Sequence, residues 1–196
     1  MQTNLEIEYK TLLSLSEFDQ LGKRFSHIAP IRQTNHYFDT PDLQLRGNKL
    51  SLRIRTFDDA AEMTLKIPQQ VGNLEHNITL TSEAARTILE TKSLPQHGSK
   101  IQSILDLLEK YAIDLSAIGV LGSLTTTRRE YETAIGLMAL DKNEYSGKVD
   151  YELELEVADA PSGEKNFNHF LKDNQIEYRY ARSKVVRFLE SIGKMS

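Results

Sequence analysis

The sequence of 196 residues contains no cysteine and no tryptophan. Without cysteine the chain can form no disulfide, offer no thiolate to a metal and use no cysteine nucleophile. The amino terminus lacks the apolar core of a secretory signal, and no stretch approaches the length of a membrane span. These absences predict a cytoplasmic protein with no membrane partner.

The chain also has no excess of positive charge, because its formal net charge is −4. We therefore expect no bulk attraction to nucleic acid, and any bound anion must be held by a local basic site. With 39% apolar and 27% charged residues, the composition is that of an ordinary globular protein. A chain of this length predicts a single domain over residues 1–196.

The secondary structure predicted from periodicity is a series of strands with a few helices. Short turns join several strands, at Asp58–Asp59 and Ser146–Gly147 for example, so an antiparallel α+β fold is favoured over βαβ units. The predicted helices cover 14–26, a segment starting at 81 or 82, 101–108, 164–174 and 183–193. The predicted strands cover 4–11, 32–40, 49–57, 61–68, 73–81, 120–132, 132–145 and 149–157.

Most of these strands carry charged side chains on one face and large apolar side chains on the other. In the first strand the charged face holds Glu6, Glu8 and Lys10. The other charged faces hold Arg53 and Arg55, then Lys66, then Glu75, and finally Glu152, Glu154 and Glu156. Cations and carboxylates are thus segregated onto different strands.

Two interpretations of this pattern are open. In the first, each charged face is exposed to water, as is common in antiparallel sheets. In the second, the charged faces enclose an interior, which would relieve the repulsion between three glutamates spaced two residues apart. Such an interior would bind polyphosphate through arginine and lysine, and Mg²⁺ or Mn²⁺ through carboxylates.

The order of the charged motifs resembles that of the CYTH superfamily, the triphosphate tunnel metalloenzymes. The match begins with E-x-E-x-K at "EIEYK" and covers about residues 5–189. The later elements are R-x-R at 53–55, Lys66, Glu75, an arginine in "TTTRRE", the aspartate of "MALDK", E-x-E in "YELELEV" and the lysine of "ARSKVV".

This resemblance implies a closed eight-stranded antiparallel β-barrel with helices packed outside and charges inside. It also implies a metal-dependent enzyme that acts on a triphosphate-containing small molecule, with Mg²⁺ or Mn²⁺ as the cofactor. The residues implied to bind phosphate are Lys10, Arg53, Arg55, Lys66, Arg128 and Lys184. The residues implied to bind metal are Glu6, Glu8, Glu152, Glu154 and Glu156, and those implied to act in catalysis are Lys10, Lys66 and Asp141.

Three assignments within this set stay open. The arginine of "TTTRRE" is Arg128 or Arg129, which point to opposite faces, and Arg128 is preferred. The E-x-E pair is 152 with 154 or 154 with 156, so Glu154 belongs to either. Glu75 is interpreted as a partner that orients an arginine, or as a simple surface residue.

Other candidate residues are expected to be structural. The five histidines, at 27, 36, 76, 97 and 169, have no metal-ligand spacing. Asp39 is interpreted as the end of a strand and Ser183 as a helix cap.

The expected reaction is hydrolysis of inorganic tripolyphosphate to pyrophosphate and phosphate, because that substrate needs only charged groups. The alternatives are an adenylate cyclase, a thiamine or nucleoside triphosphatase, and a sensor that binds polyphosphate or nucleotide without turnover. The sequence does not distinguish a monomer from a homodimer.

Overall fold

The computed structural model describes residues 1–95 and 100–195, which contain eight strands that close into one antiparallel barrel. The strands are β1 (Gln2–Leu13), β2 (Ile31–Asp39), β3 (Ser51–Thr56), β4 (Ala61–Pro68), β5 (Asn73–Leu80), β6 (Gly119–Thr133), β7 (Gly136–Tyr145) and β8 (Lys148–Val157). Around the barrel their order is β1-β5-β4-β3-β2-β6-β7-β8. The predicted fold class, a closed eight-stranded barrel with additional helices, is confirmed.

The same described residues contain six α-helices and one short 3₁₀ helix. The helices are α1 (Leu15–Arg24), α2 (Gln44–Gly47), α3 (Ser82–Thr91), α4 (Gln102–Glu109), α5 (Ala160–Asp173) and α6 (Lys184–Ser191), and the 3₁₀ helix is Leu115–Ala117. None of these helices is both long and apolar enough to cross a membrane.

The two predicted hairpin turns are present. The Phe57 amide donates to the Ala60 carbonyl at 2.8 Å and closes the turn between β3 and β4. Ser146 and Gly147 both have positive φ, 47° and 73°, between β7 and β8. Two consecutive residues of positive φ match the right-handed twist of the flanking strands, which explains why this short turn continues one antiparallel ladder.

The chain folds as two compact units, the first of which comprises Met1–Leu5 and Thr34–Ser123. In this unit the apolar faces of β3 and β4, with Ile54 and Met63 fully buried, pack into one core with α3 and α4. Each such side chain contributes about 1.5–3 kcal/mol by leaving water. The alternation of the sequence therefore assigns one face of these strands to the helices.

The second unit comprises Glu6–Gln33 and Leu124–Ser196. Its core joins the apolar face of β8, with Leu153 and Leu155, to Phe167 of α5 and Leu21 of α1. Helix α5 lies close to the sheet at Gly163, where an added Cβ would be 2.5 Å from a methyl group of Val157. The prediction of one domain over 1–196 stays a prediction.

The helix boundaries differ from the predicted ones where side chains cap the ends. Helix α1 begins at Leu15 because Ser14 and Glu17 form a reciprocal capping box, and it ends at Arg24 rather than at residue 26. Helix α5 begins at Ala160, earlier than predicted, because the Asp159 carboxylate accepts the Ser162 amide at 3.0 Å. Ser183 occupies the N-cap position of α6, but its side chain makes no capping hydrogen bond.

Helix α2 was not predicted from the sequence. The carboxylate of Asp39, at the end of β2, accepts the backbone amides of Thr40, Leu45 and Arg46 at 2.8, 2.8 and 3.0 Å. Asp39 thus satisfies N–H groups that a helix of four residues cannot satisfy itself. Of the histidines, His76 is buried and burial lowers its pKa, whereas His97 lies outside the described residues.

Candidate functional site

Strand β8 is buried on both faces. Leu153 and Leu155 lie in the core beneath the helices, and Glu152 and Glu154 on the opposite face are 0% and 6% exposed. The charged face of β8 is therefore not exposed to water. This agrees with the interpretation in which the charged faces of the strands enclose an interior. Buried carboxylates require cations or hydrogen-bond donors close by, because an isolated charge is strongly destabilised away from water.

The register of the sheet brings a third carboxylate to these two. Asp141 of β7 pairs with Glu152, and Ala139 pairs with Glu154. Oxygen atoms of Asp141, Glu152 and Glu154 all lie within 4.8 Å of one another. We call this group the carboxylate cluster.

Lys184, the first residue of α6, supplies a cation to all three members of the carboxylate cluster. Its ammonium nitrogen lies 2.9 Å from Asp141 and 3.0 Å from Glu152, and it also donates a hydrogen bond to Glu154. The Lys184 side chain is only 12% exposed. A single ammonium thus neutralises part of the charge of three buried carboxylates.

Arg128 of β6 supplies a second cation. Its Nε and Nη2 donate to the two Asp141 oxygens at 2.8 and 2.7 Å, which is a bidentate pair, and Nη2 also contacts Glu154. Arg129 points the other way and donates to the Ile28 carbonyl at 3.1 Å. The structure therefore brings the preferred Arg128, and not Arg129, to the carboxylate cluster.

The pKa values of the cluster reflect both burial and these cations. Burial raises the pKa of Glu154, but Lys184 and Arg128 outweigh it and hold the pKa well below its usual value. Burial, together with the charge of Glu154, raises the pKa of Glu152 above its usual value. Burial lowers the pKa of Lys184, but the carboxylates outweigh it and hold the pKa well above its usual value.

The first strand adds Lys10, which pairs with Glu154 in the register of β1 and β8. Its ammonium nitrogen lies 2.7 Å from Glu8. Burial lowers the pKa of Lys10, but the charges of Glu8 and Glu154 outweigh it and raise the pKa overall. Glu6, Glu8 and Glu156 are not members of the carboxylate cluster, and their predicted role as metal ligands stays a prediction.

Sequence reasoning missed Arg187, which also contacts the carboxylate cluster. Its guanidinium donates to Glu152 and lies 3.2 Å from Asp150. The missed signal is the spacing of Lys184 and Arg187, three residues apart and hence on one face of α6. Asn143 was missed as well, and it donates to Asp150 at 2.9 Å and to Glu152 at 3.4 Å.

The first unit holds the remaining predicted cations. Lys66 lies 2.7 Å from Glu75, its partner in the β4–β5 register, and Arg55 Nε donates to Asn35 at 3.1 Å. Burial raises the pKa of Glu75, but Lys66 and then Arg53 outweigh it and lower the pKa to about 2. Glu75 is therefore an ion-pair partner of Lys66. It is not the simple surface residue that the sequence analysis left as one of two interpretations.

Six buried side-chain nitrogen and oxygen atoms lack a hydrogen-bond partner within residues 1–95 and 100–195. The donors among them include Arg53 Nε, and the acceptors include Glu152 Oε1. A buried donor without a partner suits an anion, and a buried carboxylate oxygen without a partner suits a cation. Three carboxylates are also the donor set that Mg²⁺ and Mn²⁺ prefer, so the residues present fit such an ion.

A closed antiparallel barrel whose strands carry buried carboxylates and half-buried arginines and lysines defines a class of protein that can hold a polyanion and a hard cation. The model of the CYTH domain matches residues 4–189, and the chain belongs to the CYTH domain family.

Several relatives are similar over nearly their whole length. "Putative triphosphatase YjbK" of Bacillus subtilis (strain 168) is 36% identical over 196 residues, which are 99% of each chain. A solved structure of a "putative adenylate cyclase" from Bacillus halodurans is 34% identical with a TM-score of 0.86, and covers 96% of this chain and 99% of its own. HpAC1 from Hippeastrum, a "putative adenylyl cyclase" described as revealing a dominant triphosphatase activity, is 25% identical with a TM-score of 0.81 over 98% of each chain.

Proposed function

We propose that the protein is a metal-dependent triphosphatase that hydrolyses inorganic tripolyphosphate to pyrophosphate and phosphate. The observation that carries the proposal is the carboxylate cluster of Asp141, Glu152 and Glu154, buried and in contact with Lys184 and Arg128. The similarity to YjbK and HpAC1, both described by a triphosphatase activity, supports it. Buried carboxylates beside arginine and lysine are the residue types that phosphoryl transfer needs.

The cations predicted from the sequence are the proposed phosphate-binding residues. These are Lys10, Arg53, Arg55, Lys66, Arg128 and Lys184. Lys10, Lys66, Arg128 and Lys184 each contact a carboxylate in this structure. Phosphate oxygens offer the same geometry and charge, so a triphosphate can replace these contacts without leaving a buried cation unpaired.

The carboxylate cluster is the proposed holder of the metal, Mg²⁺ or Mn²⁺. Glu152 Oε1 is the acceptor that is left for it, since Glu152 Oε2 already faces Lys184 and Arg187. Glu6, Glu8 and Glu156 are proposed as further ligands from the family motif. Such an ion would supply Lewis-acid chemistry, which would lower the charge on the phosphoryl group under attack.

The protein side chains have separate proposed roles in the reaction. Lys10 and Lys66 orient the phosphate groups and stabilise the negative charge that builds on them as the bond breaks. Asp141, held by Nε and Nη2 of Arg128, is proposed to orient the attacking water or the ion. The proposed reaction requires no side-chain nucleophile.

Cyclisation of ATP to cyclic AMP is the second candidate activity. It is favoured by the names of the Bacillus halodurans and Hippeastrum relatives. We rank it second because tripolyphosphate needs only charged groups, whereas ATP also needs a pocket for its base and ribose. A cytoplasmic location stays a prediction, and the choice between a monomer and a homodimer stays open.

A panel of substrates separates these activities. The protein is incubated with tripolyphosphate, ATP or thiamine triphosphate, each with Mg²⁺, Mn²⁺ or EDTA, and phosphate, pyrophosphate and cyclic AMP are measured. Phosphate from tripolyphosphate only in the presence of metal supports the proposal. Pyrophosphate with cyclic AMP from ATP indicates a cyclase instead, and thermal stabilisation without turnover indicates a sensor.

Two variants test the assigned roles in the same assay. Lys66→Ala and Glu8→Ala should both lose phosphate release, whereas Lys148→Ala, at an exposed lysine at the start of β8, should keep it. Full release by Lys66→Ala and Glu8→Ala at saturating metal would refute the assignment.

A further inference from the structure

Arg187 is a buried cation to which the proposed function assigns no role. It lies one turn after Lys184 on α6, and it is only 8% exposed. Its guanidinium contacts Glu152 through Nη2 and lies beside Asp150 through Nε. Only Nη2 makes a hydrogen bond, whereas Nε faces Asp150 as an ion pair and Nη1 has no hydrogen-bond partner in the described residues. Because the guanidinium is planar and rigid, its contacts with Glu152 and Asp150 restrict the orientation of both carboxylates.

Asp150, the second partner of Arg187, is itself held by two neutral side chains. The Tyr145 hydroxyl donates to one Asp150 oxygen at 2.6 Å, and the Asn143 amide donates to the other at 2.9 Å. The Asn143 amide is oriented in turn, because its oxygen accepts the Thr126 hydroxyl at 2.7 Å. These four residues and Arg187 form a connected network, which we call the clamp.

The clamp acts on one oxygen of Glu152 and not on the other. Glu152 Oε2 receives Arg187, Asn143 at 3.4 Å and the Lys184 ammonium at 3.0 Å. Glu152 Oε1, in contrast, has no hydrogen-bond partner anywhere in the described part of the chain. The carboxylate is thus held by one oxygen and presents the other one.

We propose that Arg187 is a positioning residue that sets the metal affinity of the carboxylate cluster by fixing Glu152. The inference rests on the proposed function, since it concerns the ion that this function requires. Residues that hold a metal ligand without touching the metal commonly change affinity by about 10- to 100-fold when they are replaced. Arg187 fits that description, because its contact with the carboxylate cluster is through Glu152 alone.

The test is binding of Mn²⁺ in the absence of any substrate, measured by calorimetry and by the electron paramagnetic resonance of free Mn²⁺. Arg187→Met should weaken binding by about 10- to 100-fold, and Arg187→Lys, which restores the charge without the fork, should recover part of the loss. Arg182→Met is the matched control. Arg182 pairs with Glu190 near α6 but is half exposed, so its replacement should leave Mn²⁺ affinity unchanged.

A second, milder variant covers the case in which Arg187→Met does not fold. Tyr145→Phe removes only the hydroxyl that holds Asp150, and it should weaken Mn²⁺ binding by about two- to tenfold. For both variants, Arg187→Met and Tyr145→Phe, saturating Mn²⁺ should restore kcat for tripolyphosphate, because the two residues affect metal binding and not the reaction itself.

The outcomes separate the two proposals. If the unchanged protein binds no Mn²⁺, the proposed function fails and the role of Arg187 fails with it. If the unchanged protein binds Mn²⁺ and the folded Arg187→Met or Tyr145→Phe variant binds it equally tightly, only the positioning role is overturned. A lowered melting temperature with unchanged Mn²⁺ affinity would assign Arg187 to stability alone.

Discussion

Replacement of Lys184 by methionine removes a charge from the carboxylate cluster and keeps the length of the side chain. The Lys184 ammonium lies 2.9 Å from Asp141 and 3.0 Å from Glu152, and it also contacts Glu154. Glu152 and Asp141 are fully buried, so water cannot take the place of the ammonium. Removal of one partner of a buried ion pair typically lowers the free energy of unfolding by about 3–5 kcal/mol.

We expect the loss in the free energy of unfolding of Lys184→Met to lie near the lower end of that range, because Arg128 still contacts Asp141 and Glu154. The effect should depend on pH with a definite sign. Lys184 helps to hold the pKa of Glu154 below the usual pKa of a glutamate. The ion pair therefore stabilises the fold fully when the pH is above that usual pKa. The stabilisation is lost as the pH falls through the lower pKa of the folded state, and the difference between the two proteins should shrink with it.

Urea unfolding followed by circular dichroism, at neutral pH with EDTA, measures this loss. Lys142→Met is the control, because Lys142 pairs with Glu144 at 3.3 Å but is partly exposed, and its loss should stay within about 1 kcal/mol. Added Mn²⁺ should stabilise Lys184→Met more than the unchanged protein, because the variant has no Lys184 ammonium that Mn²⁺ must displace from the carboxylate cluster. If Lys184→Met unfolds like Lys142→Met, the ammonium does not neutralise the cluster and the reasoning is wrong.

Three further predictions concern other parts of the site and the core. Glu75→Gln should lower the free energy of unfolding above about pH 4.5, the usual pKa of glutamate, and the difference should vanish as the pH falls toward 2, as followed by urea titrations. In phosphate-release assays, Arg128→Gln should lose activity at least tenfold, whereas Arg129→Gln should keep it. Leu155→Ala should lower the free energy of unfolding by about 2–5 kcal/mol, measured by urea titration, because Leu155 is fully buried.

Each of these predictions has an outcome that contradicts it. A Glu75→Gln difference that persists unchanged to low pH would mean that the carboxylate is not ionised in the folded state. Equal activity of Arg128→Gln and Arg129→Gln would mean that Arg128 has no special role in the candidate site. A Leu155→Ala protein as stable as the original would place the apolar face of β8 outside the core.

Much of the fold follows from local patterns in the sequence. The alternation of apolar and charged residues predicts strands such as β3 and β8, and the turn at Ser146–Gly147 predicts the antiparallel pairing of β7 with β8. The closed barrel was implied only by the family motifs, since no local pattern records which edge strands meet. Helix α2 was missed because it is stabilised by Asp39, six residues before Leu45, through contacts that appear only after folding.

The candidate site is less visible in the sequence than the strands that carry it. Glu152, Glu154 and Glu156 share one face, and only the register with β7 decides that Asp141 lies beside Glu152. Arg187 escaped notice because its role depends on how α6 packs against β8. A charged face of a strand can therefore be predicted from the spacing of charged residues. The partner of each charged side chain can be predicted only when the strand register and the position of α6 are known.

The account rests on a metal held by the carboxylate cluster, and release of phosphate from tripolyphosphate as a function of Mn²⁺ concentration tests it most directly. The unchanged protein should release phosphate with Mn²⁺ and none with EDTA. Glu154→Gln should release at least about tenfold less phosphate at Mn²⁺ concentrations that half-saturate the unchanged protein, while Glu144→Gln, at a partly exposed glutamate of the same sheet, should match the unchanged protein. Equal release with EDTA, or full release by a folded Glu154→Gln protein, would contradict the account.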